Sequence, residues 1–180
     1  IRSLKKAYPK AKISFLTAFP SDQILKYNPH LEQVIVYPDE YDLRKFIGFI
    51  HRIRDSKYDY VIDFQGSSRT ALLSWFSGSY YRIGFNFRVR RWVYHQSMEV
   101  TDVPIYSALH KLKLLEPLGV KEKDIQLEMP IGYEERHFVE KCFDDLEVQK
   151  NRLRVSVSPV SRQPYKVWPA AKFAKISNWL

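Results

Sequence analysis

Hydrophobic and polar positions along the chain change period repeatedly, and each change marks an expected element. Residues 12–18 (KISFLTA), 32–38 (EQVIVYP), 58–65 (YDYVIDFQ) and 80–85 (YYRIGF) are short runs rich in β-branched and aromatic residues, bounded by Pro, Gly, Asn or Asp, and they predict strands. Between them apolar residues recur at helical intervals. Residues 20–29 predict a short helix closed by Asn28-Pro29, and residues 39–56 predict a helix with Leu43, Phe46, Ile47, Ile50 and Ile53 on one stripe. Residues 66–78 (GSSRTALLSWFSG) predict a helix capped by Ser67 or Ser68 and ended by Gly78. Residues 104–120 predict another, with Pro104 at its start and Gly119 at its end. Residues 86–103 lack a clean period and read as a loop with extended pieces, and 125–131 reads as a short extended piece. Residues 133–148 then predict an amphipathic helix with Phe138, Val139 and Phe143 inward, 151–159 (NRLRVSVSP) a new strand, and 168–180 a new helix.

Strand and helix in alternation, joined by connections of a few residues, predict an α/β fold with a mostly parallel sheet. The charged stretch DDLEVQKNRLR is the expected domain boundary, because the strand–helix pattern restarts beyond it. Residues 1–150 are expected to form a Rossmann-like domain lacking its first strand, and 151–180 to begin a second such domain. The chain has no initiating Met, opens in what reads as the last turns of a helix and stops without a helix-end signal, so it reads as a piece of a longer protein truncated at both ends.

Composition narrows the class. At 45% hydrophobic residues the chain can bury a core. Its single cysteine, Cys142, excludes an intramolecular disulfide and fits a reducing compartment. No apolar run approaches the length needed to span a bilayer, and no signal peptide opens the chain. The formal net charge of +9 suits an anionic partner, whether nucleic acid, phosphorylated lipid or nucleotide, or simply a lysine-rich soluble surface.

In open α/β sheets ligands sit beyond the carboxyl ends of the strands. After the strand at 58–65 come Asp63 at its end, Gln65, Gly66 for a tight turn, and Arg69 in the first helical turn. A helix N-terminus attracts anions, so an arginine there points to an anionic ligand held between them; the plainer alternative is that Asp63 caps the turn and Arg69 is solvated. Arg82, Arg88, Arg90 and Arg91 are interleaved with Phe85, Phe87 and Trp92. Such a group suits phosphate or carboxylate, single-stranded nucleic acid, or a plain basic surface, but no nucleic-acid-binding signature accompanies it. The five histidines are scattered without paired spacing and Cys142 has no partner, so no metal site is expected. Residues 158–169 (SPVSRQPYKVWP) place Ser158, Ser161, Arg162 and Lys166 between an expected strand and a helix beginning at Pro169, an arrangement that suits a diphosphate.

The motif Lys166-Val167-Trp168-Pro169 with Phe173-Ala174 resembles the donor-side loop of the ADP-heptose:lipopolysaccharide heptosyltransferases, glycosyltransferase family 9. In order along the chain, LKKAYPKAKISFLTA, YDYVIDFQGSSRTALLSWFSGSYYRIGF and HKLKLLEPLGV resemble further stretches of that family, so the similarity covers nearly the whole chain. The resemblance implies a GT-B arrangement of two Rossmann-like domains and inverting, metal-independent transfer of heptose from ADP-heptose to the lipopolysaccharide inner core, without a cofactor. It places the lipid A-core acceptor on the first domain, facing Asp63, Gln65, Gly66, Arg69, Arg82, Arg88 and Arg90. It places the ADP diphosphate on Ser158, Ser161, Arg162 and Lys166 of the second. It further implies a cytoplasmic protein, in peripheral contact with the inner membrane face, with no nucleic-acid partner.

This sequence departs from the family in three places. The strand and Gly-Asp turn that carry the family's general base would precede residue 1, its Asp-(Ser/Thr)-Gly-x-x-His segment would follow residue 180, and Ser158-Pro159 stands where the family has Pro-Gly. No catalytic base is therefore assigned, Asp63 being only a substitute candidate, and the 180-residue piece is expected to be inactive alone. The rival expectation is a basic α/β module that grips nucleic acid or an anionic membrane surface.

Overall fold

The computed structural model describes residues 1–38, 42–87, 91–100, 106–121, 125–149, 151 and 153–179. It is a mixed α/β structure with parallel sheets, divided into two compact units, Ile1–Gly132 and Tyr133–Leu180. The expected boundary at 150/151 thus lies inside the second unit.

In the first unit, β1 (Ser14–Thr17) pairs in parallel with β2 (Gln33–Val36), Ser14 opposite Gln33 and Thr17 opposite Val36. A three-stranded parallel sheet follows in the order β3 (Tyr60–Asp63), β4 (Tyr81–Asn86), β5 (Gln96–Glu99). Asp63 is opposite Gly84, and Asn86 is opposite Glu99. β5 arises inside the stretch expected to be a loop. It carries only polar residues and a methionine, and what makes it a strand is its pairing with β4, which begins where the His95 N–H donates to the Arg82 carbonyl at 2.9 Å.

The crossover helices follow from their caps. α1 (Arg2–Ala7) leads into β1. The segment expected to be helical after β1 is a 3-10 turn, Ser21–Leu25. α2 (Leu43–Asp55) starts where the Asp42 carboxylate accepts the N–H groups of Arg44 and Lys45 at 3.0 and 3.1 Å. The Lys45 N–H leads the effects holding the Asp42 carboxyl below its ordinary range. Phe49 and Ile53 are buried with Ile35 and Leu73, and Phe46 and Ile50 pack alongside. The core stripe is thus 46, 49, 50 and 53, whereas Leu43 and Ile47, expected on it, are exposed. α3 (Ser68–Phe76) is capped by Ser67, whose Oγ accepts the Thr70 N–H at 3.2 Å, and the chain turns away at Gly78 with φ +66.

α4 (Ser107–Leu112) tightens into a 3-10 helix over Lys113–Leu118. Pro117 has no N–H to complete an i→i−4 bond, so the last turn closes with shorter bonds. Gly119, φ +75, ends it with its N–H on the Glu116 carbonyl at 2.8 Å. Leu114 is fully buried against Ile83 and Phe85, and Leu115 is nearly so.

A polar clasp ties α1 and the residues after it to the end of that helix and to residues beyond it. Tyr8 Oη donates to the Leu118 carbonyl at 2.6 Å, and Arg2 bonds both Gln126 and Glu128. His30 Nε2 lies 2.8 Å from the other Glu128 oxygen. The His30 contact is the main reason the Glu128 carboxyl sits below its ordinary range. A carboxyl lowered on folding stabilises above its unfolded value and loses that contribution as pH falls through the folded one. Glu128→Gln is therefore expected to lower the urea midpoint at neutral pH, with the difference from wild type shrinking on acidification. A pH-independent difference would remove Glu128 ionisation from the explanation.

In the second unit, α5 (Tyr133–Asp145) opens with Glu134 and Glu135 in its first turn, favourable for the helix dipole. Phe138 and Val139, expected inward, are exposed; Phe143 is sheltered, with the Arg154 guanidinium 4.5 Å from its ring centroid. Of the strand expected over 151–159, the described residues 153–159 carry no strand pairing. The alternation of Leu153, Val155 and Val157 is present, but among the described residues no neighbouring strand supplies the ladder that alternation requires. A 3-10 turn, Pro164–Lys166, precedes α6 (Ala170–Trp179), whose first turn is closed by Lys172 N–H on the Pro169 carbonyl at 2.9 Å.

Candidate functional site

The carboxyl end of β3 is organised around one buried carboxylate. Asp63 is only 5% exposed. Its Oδ1 accepts the N–H groups of Gln65 and Gly66 at 3.0 and 2.9 Å, which bends the chain off the strand into α3. Its Oδ2 accepts the Tyr94 hydroxyl at 2.7 Å. Three of its four lone-pair sites are thus used within the protein. A general base needs a lone pair directed at a substrate hydroxyl, so the geometry gives Asp63 the turn-capping role.

Two glycines make this arrangement possible. Gly66 has φ +64, and a Cβ there would stand 2.3 Å from the Phe87 ring. A Cβ at Gly84 would stand 2.4 Å from the ring of Tyr94. The missing side chain on β4 is what lets Tyr94 lie across the strand and reach Asp63 from the following connection. Tyr94→Phe removes the hydroxyl that donates to the buried Oδ2 and is expected to cost about 2 kcal/mol, read as a shift in urea midpoint. An unchanged midpoint would show that this bond contributes nothing net.

Around the turn the side chains are open. Gln65 and Arg69 are exposed, and the Arg69 guanidinium stands 5.4 Å from the Tyr37 ring centroid beyond β2. Lys111, from α4, donates to the Phe64 carbonyl at 2.7 Å and so brings a further cation to the loop. Sequence reasoning missed Lys111, which lies 47 residues from its partner with no local signal. It also missed Tyr94, although an isolated glycine inside a strand, Gly84, is a recognisable sign of close approach.

Arg82 sits elsewhere. It is opposite Val61, toward the amino end of β4. Its Nε donates to the Val93 carbonyl at 2.8 Å, its Nη1 to the Ser79 carbonyl at 3.0 Å, and its guanidinium lies 5.2 Å from the Trp75 ring centroid. Desolvation lowers its pKa from the ordinary arginine value, but it stays charged at neutral pH. Arg82 therefore staples the β4–β5 connection and does not join Asp63, Gln65, Gly66 and Arg69. Arg88 and Arg90 lie outside the described residues.

In the second unit, Ser158, Ser161, Arg162 and Lys166 are all exposed on the stretch leading into α6. Ser161 Oγ accepts the Gln163 N–H at 3.3 Å, and the Lys166 N–H closes the 3-10 turn on the Gln163 carbonyl at 2.9 Å. Lys166 Nζ is 5.7 Å from the Tyr165 ring centroid, and Trp168 packs edge-on against Phe173 of α6 at 5.1 Å. The loop thus presents a cation and hydroxyls ahead of a helix start anchored by its tryptophan. Among the described residues, no three His, Cys, Asp or Glu side chains come together in a metal-binding group, and no helix is long and apolar enough to cross a membrane.

Comparison with known proteins identifies relatives of this arrangement. The sequence profile of glycosyltransferase family 9 (heptosyltransferase) matches residues 46–180. A lipopolysaccharide heptosyltransferase 3 of Escherichia coli is 27% identical over 188 residues, covering 100% of this chain and 55% of that protein. The chain thus spans about half the length of the curated relatives it matches. The crystal structure of a family 9 glycosyl transferase from Veillonella parvula superposes with a TM-score of 0.87 at 22% identity, over 99% of this chain and 53% of that one. E. coli heptosyltransferase WaaC, solved with ADP-2-deoxy-2-fluoro heptose, superposes with a TM-score of 0.71 at 16% identity, over 99% of this chain and 59% of that one. At these identities the two structures establish a shared fold.

Proposed function

Because the chain belongs to glycosyltransferase family 9, the heptosyltransferases, we propose that its protein transfers heptose from ADP-heptose to the inner core of lipopolysaccharide. The observation that carries this reading is the family match over residues 46–180, a range that includes both the Asp63–Arg69 turn and the Lys166–Pro169 loop. The binding of an ADP-heptose analogue by a structural neighbour supports the donor. In this reading Ser158, Ser161, Arg162 and Lys166 take the ADP diphosphate. Gln65 and Arg69 face the acceptor from a turn that Asp63 and Gly66 hold in place. The nucleotide-binding fold begins at residue 151, with α5 as the connecting helix.

Transfer proceeds with inversion and without a metal. The donor sugar passes through a cation-like anomeric carbon as the ADP leaves, and the acceptor hydroxyl loses its proton to a positioned carboxylate. Asp63 is not that base in this reading, since it is buried and both of its oxygens accept bonds that hold the turn. The departing diphosphate gains charge in the transition state, where Lys166 offers a compensating cation.

The test is calorimetric titration of the full-length protein with ADP, ADP-heptose and an oligonucleotide of matched charge. Selective binding of the two ADP ligands is expected, and Lys166→Ala should weaken ADP-heptose binding about tenfold or more, as for loss of a charge-assisted bond. Unchanged affinity in that variant would remove Lys166 from the donor site. Binding of the oligonucleotide alone would overturn the transferase reading in favour of a general polyanion binder, whose affinity falls steeply with salt.

A further inference from the structure

The connection that delivers Tyr94 to Asp63 is fastened to β4 by a side chain outside the candidate site. Its described part runs from a 3-10 turn, Arg91–Val93, through Tyr94 and His95 into β5. Trp92 of that turn sets its ring edge-on to Trp75 of α3, with centroids 4.9 Å apart. The His95 N–H then donates to the Arg82 carbonyl at 2.9 Å. In a regular parallel ladder the Arg82 N–H would go to the carbonyl two residues before His95, that of Val93. Here the Val93 carbonyl accepts the Arg82 Nε at 2.8 Å, and the Arg82 N–H donates to His95 Nδ1 at 3.0 Å. An imidazole nitrogen thus stands in for a backbone carbonyl, and His95 makes both ladder bonds to Arg82. The Tyr81 ring stacks on the imidazole, with centroids 5.4 Å apart and planes inclined at 11°, which orients the ring.

Tyr94 depends on this bond. It is the residue before His95, it is buried, and it crosses β4 at Gly84 to give its hydroxyl to Asp63 Oδ2 at 2.7 Å. Asp63 Oδ1 in turn holds the N–H groups of Gln65 and Gly66. From His95 to the turn, every link is either a peptide bond or one hydrogen bond. Where a phenol points is set by where its backbone is seated. Removing Nδ1 leaves the Arg82 N–H without the acceptor it uses here, and that loss favours opening of the chain at the start of β5. An opening there moves the anchor of Tyr94 first.

We propose that His95 is a positioning residue for the candidate site: its Nδ1 seats the connection that lets Tyr94 hold Asp63 and, through Asp63, the turn carrying Gln65 and Arg69. It acts from the amino end of β4 and touches no substrate. The consequence for acceptor binding rests on the transferase reading; the seating of Tyr94 does not.

The experiment combines nitrogen-15 spectra of the histidine-labelled intact protein with amide hydrogen exchange. Nδ1 accepts only when the ring proton is on Nε2, so His95, identified by the loss of its signals in His95→Asn, is expected to show that tautomer; a proton on Nδ1 overturns the proposal. His95→Leu keeps bulk without an acceptor, whereas His95→Asn places an amide oxygen close to where Nδ1 stands. In the Leu variant the Gln65 and Gly66 amides are expected to exchange about tenfold faster than in wild type, as for loss of one hydrogen bond, while Ile83 in β4 keeps its protection. The Asn variant should exchange within about twofold of wild type. Transfer by the intact protein should show acceptor KM raised about tenfold in the Leu variant, with kcat and ADP affinity little changed, and restored in the Asn variant. Unchanged exchange at Gln65 and Gly66 in the Leu variant, or a loss that Asn does not restore, overturns the proposal. Loss of protection at Ile83 as well would make His95 a general support of the sheet and overturn it too. A wild type that transfers no heptose removes the transferase reading, and the tautomer and the exchange rates still decide the role of His95.

Discussion

Gly84→Ala is expected to destabilise the protein by about 4 kcal/mol, although it adds a single methyl group. The added carbon would lie 2.4–2.7 Å from three atoms of the Tyr94 ring, distances that packed carbon atoms do not tolerate. Something must move, and the surroundings leave little freedom. Tyr94 is 7% exposed, packed with Ala71 and Val93, and tethered to Asp63. The backbone of β4 is paired on both sides, to β3 and β5. If the ring shifts, its hydroxyl leaves a buried carboxylate oxygen unpaired; if the strand shifts, two ladders are disturbed. Against a typical total of about 5–15 kcal/mol, such a loss brings the protein close to its unfolding threshold. Urea unfolding would show a large fall in midpoint. Combining Gly84→Ala with Tyr94→Ala should cost less than the sum of the single changes, because the second removes the obstacle to the first. Strict additivity would mean that the clash is relieved some other way.

Asp63 separates two roles by substitution. Asp63→Ala leaves the N–H groups of Gln65 and Gly66 and the Tyr94 hydroxyl without their acceptor at a nearly buried site. A loss of about 3–5 kcal/mol is expected, with release of the turn that carries Arg69. Asp63→Asn keeps a carbonyl oxygen for the two backbone donors, and its amide can donate to the Tyr94 oxygen. It should therefore retain most of the stability and, under the proposed transferase reading, leave transfer by the full-length protein within about tenfold of wild type. A general base cannot survive that exchange, since an amide does not take up the proton. Loss of transfer by several orders of magnitude in a well-folded Asp63→Asn protein would restore Asp63 as the base.

The sequence was most informative where structure is local. The Ser67 cap, the Gly78 and Gly119 stops, and the strand around Val61-Ile62 depend on neighbours within a few residues, and each stands where the pattern puts it. The 151–159 strand and β5 show the converse. Residues 153–157 alternate well yet carry no ladder, while Gln96–Glu99 alternates poorly yet pairs with β4. Strand identity belongs to the pair, and pairing is invisible to a single segment. The candidate site divides in the same way. Asp63, Gly66 and Arg69 are legible because they are consecutive, at the end of the clearest strand. Tyr94 is 31 residues from Asp63 and Lys111 is 47 from Phe64, and only the fold brings them together. Arg82 read as part of an arginine cluster, but its place in the strand register sends its guanidinium to the carbonyls of Ser79 and Val93.

The edge-on contact of Trp75 with Trp92 also gives the protein a built-in optical gauge. Two indoles with centroids 4.9 Å apart and planes inclined at 71° are close enough for their electronic transitions to couple. Coupled transitions produce paired circular dichroism bands of opposite sign that vanish when the rings separate. One indole rides on α3 and the other on the turn before β5, so the signal reports whether that connection is seated. Arg82, which bonds the same connection and stacks on the same Trp75 ring, holds the gauge closed. Weakening that staple should therefore erase the paired bands before the helical signal of the protein begins to fall.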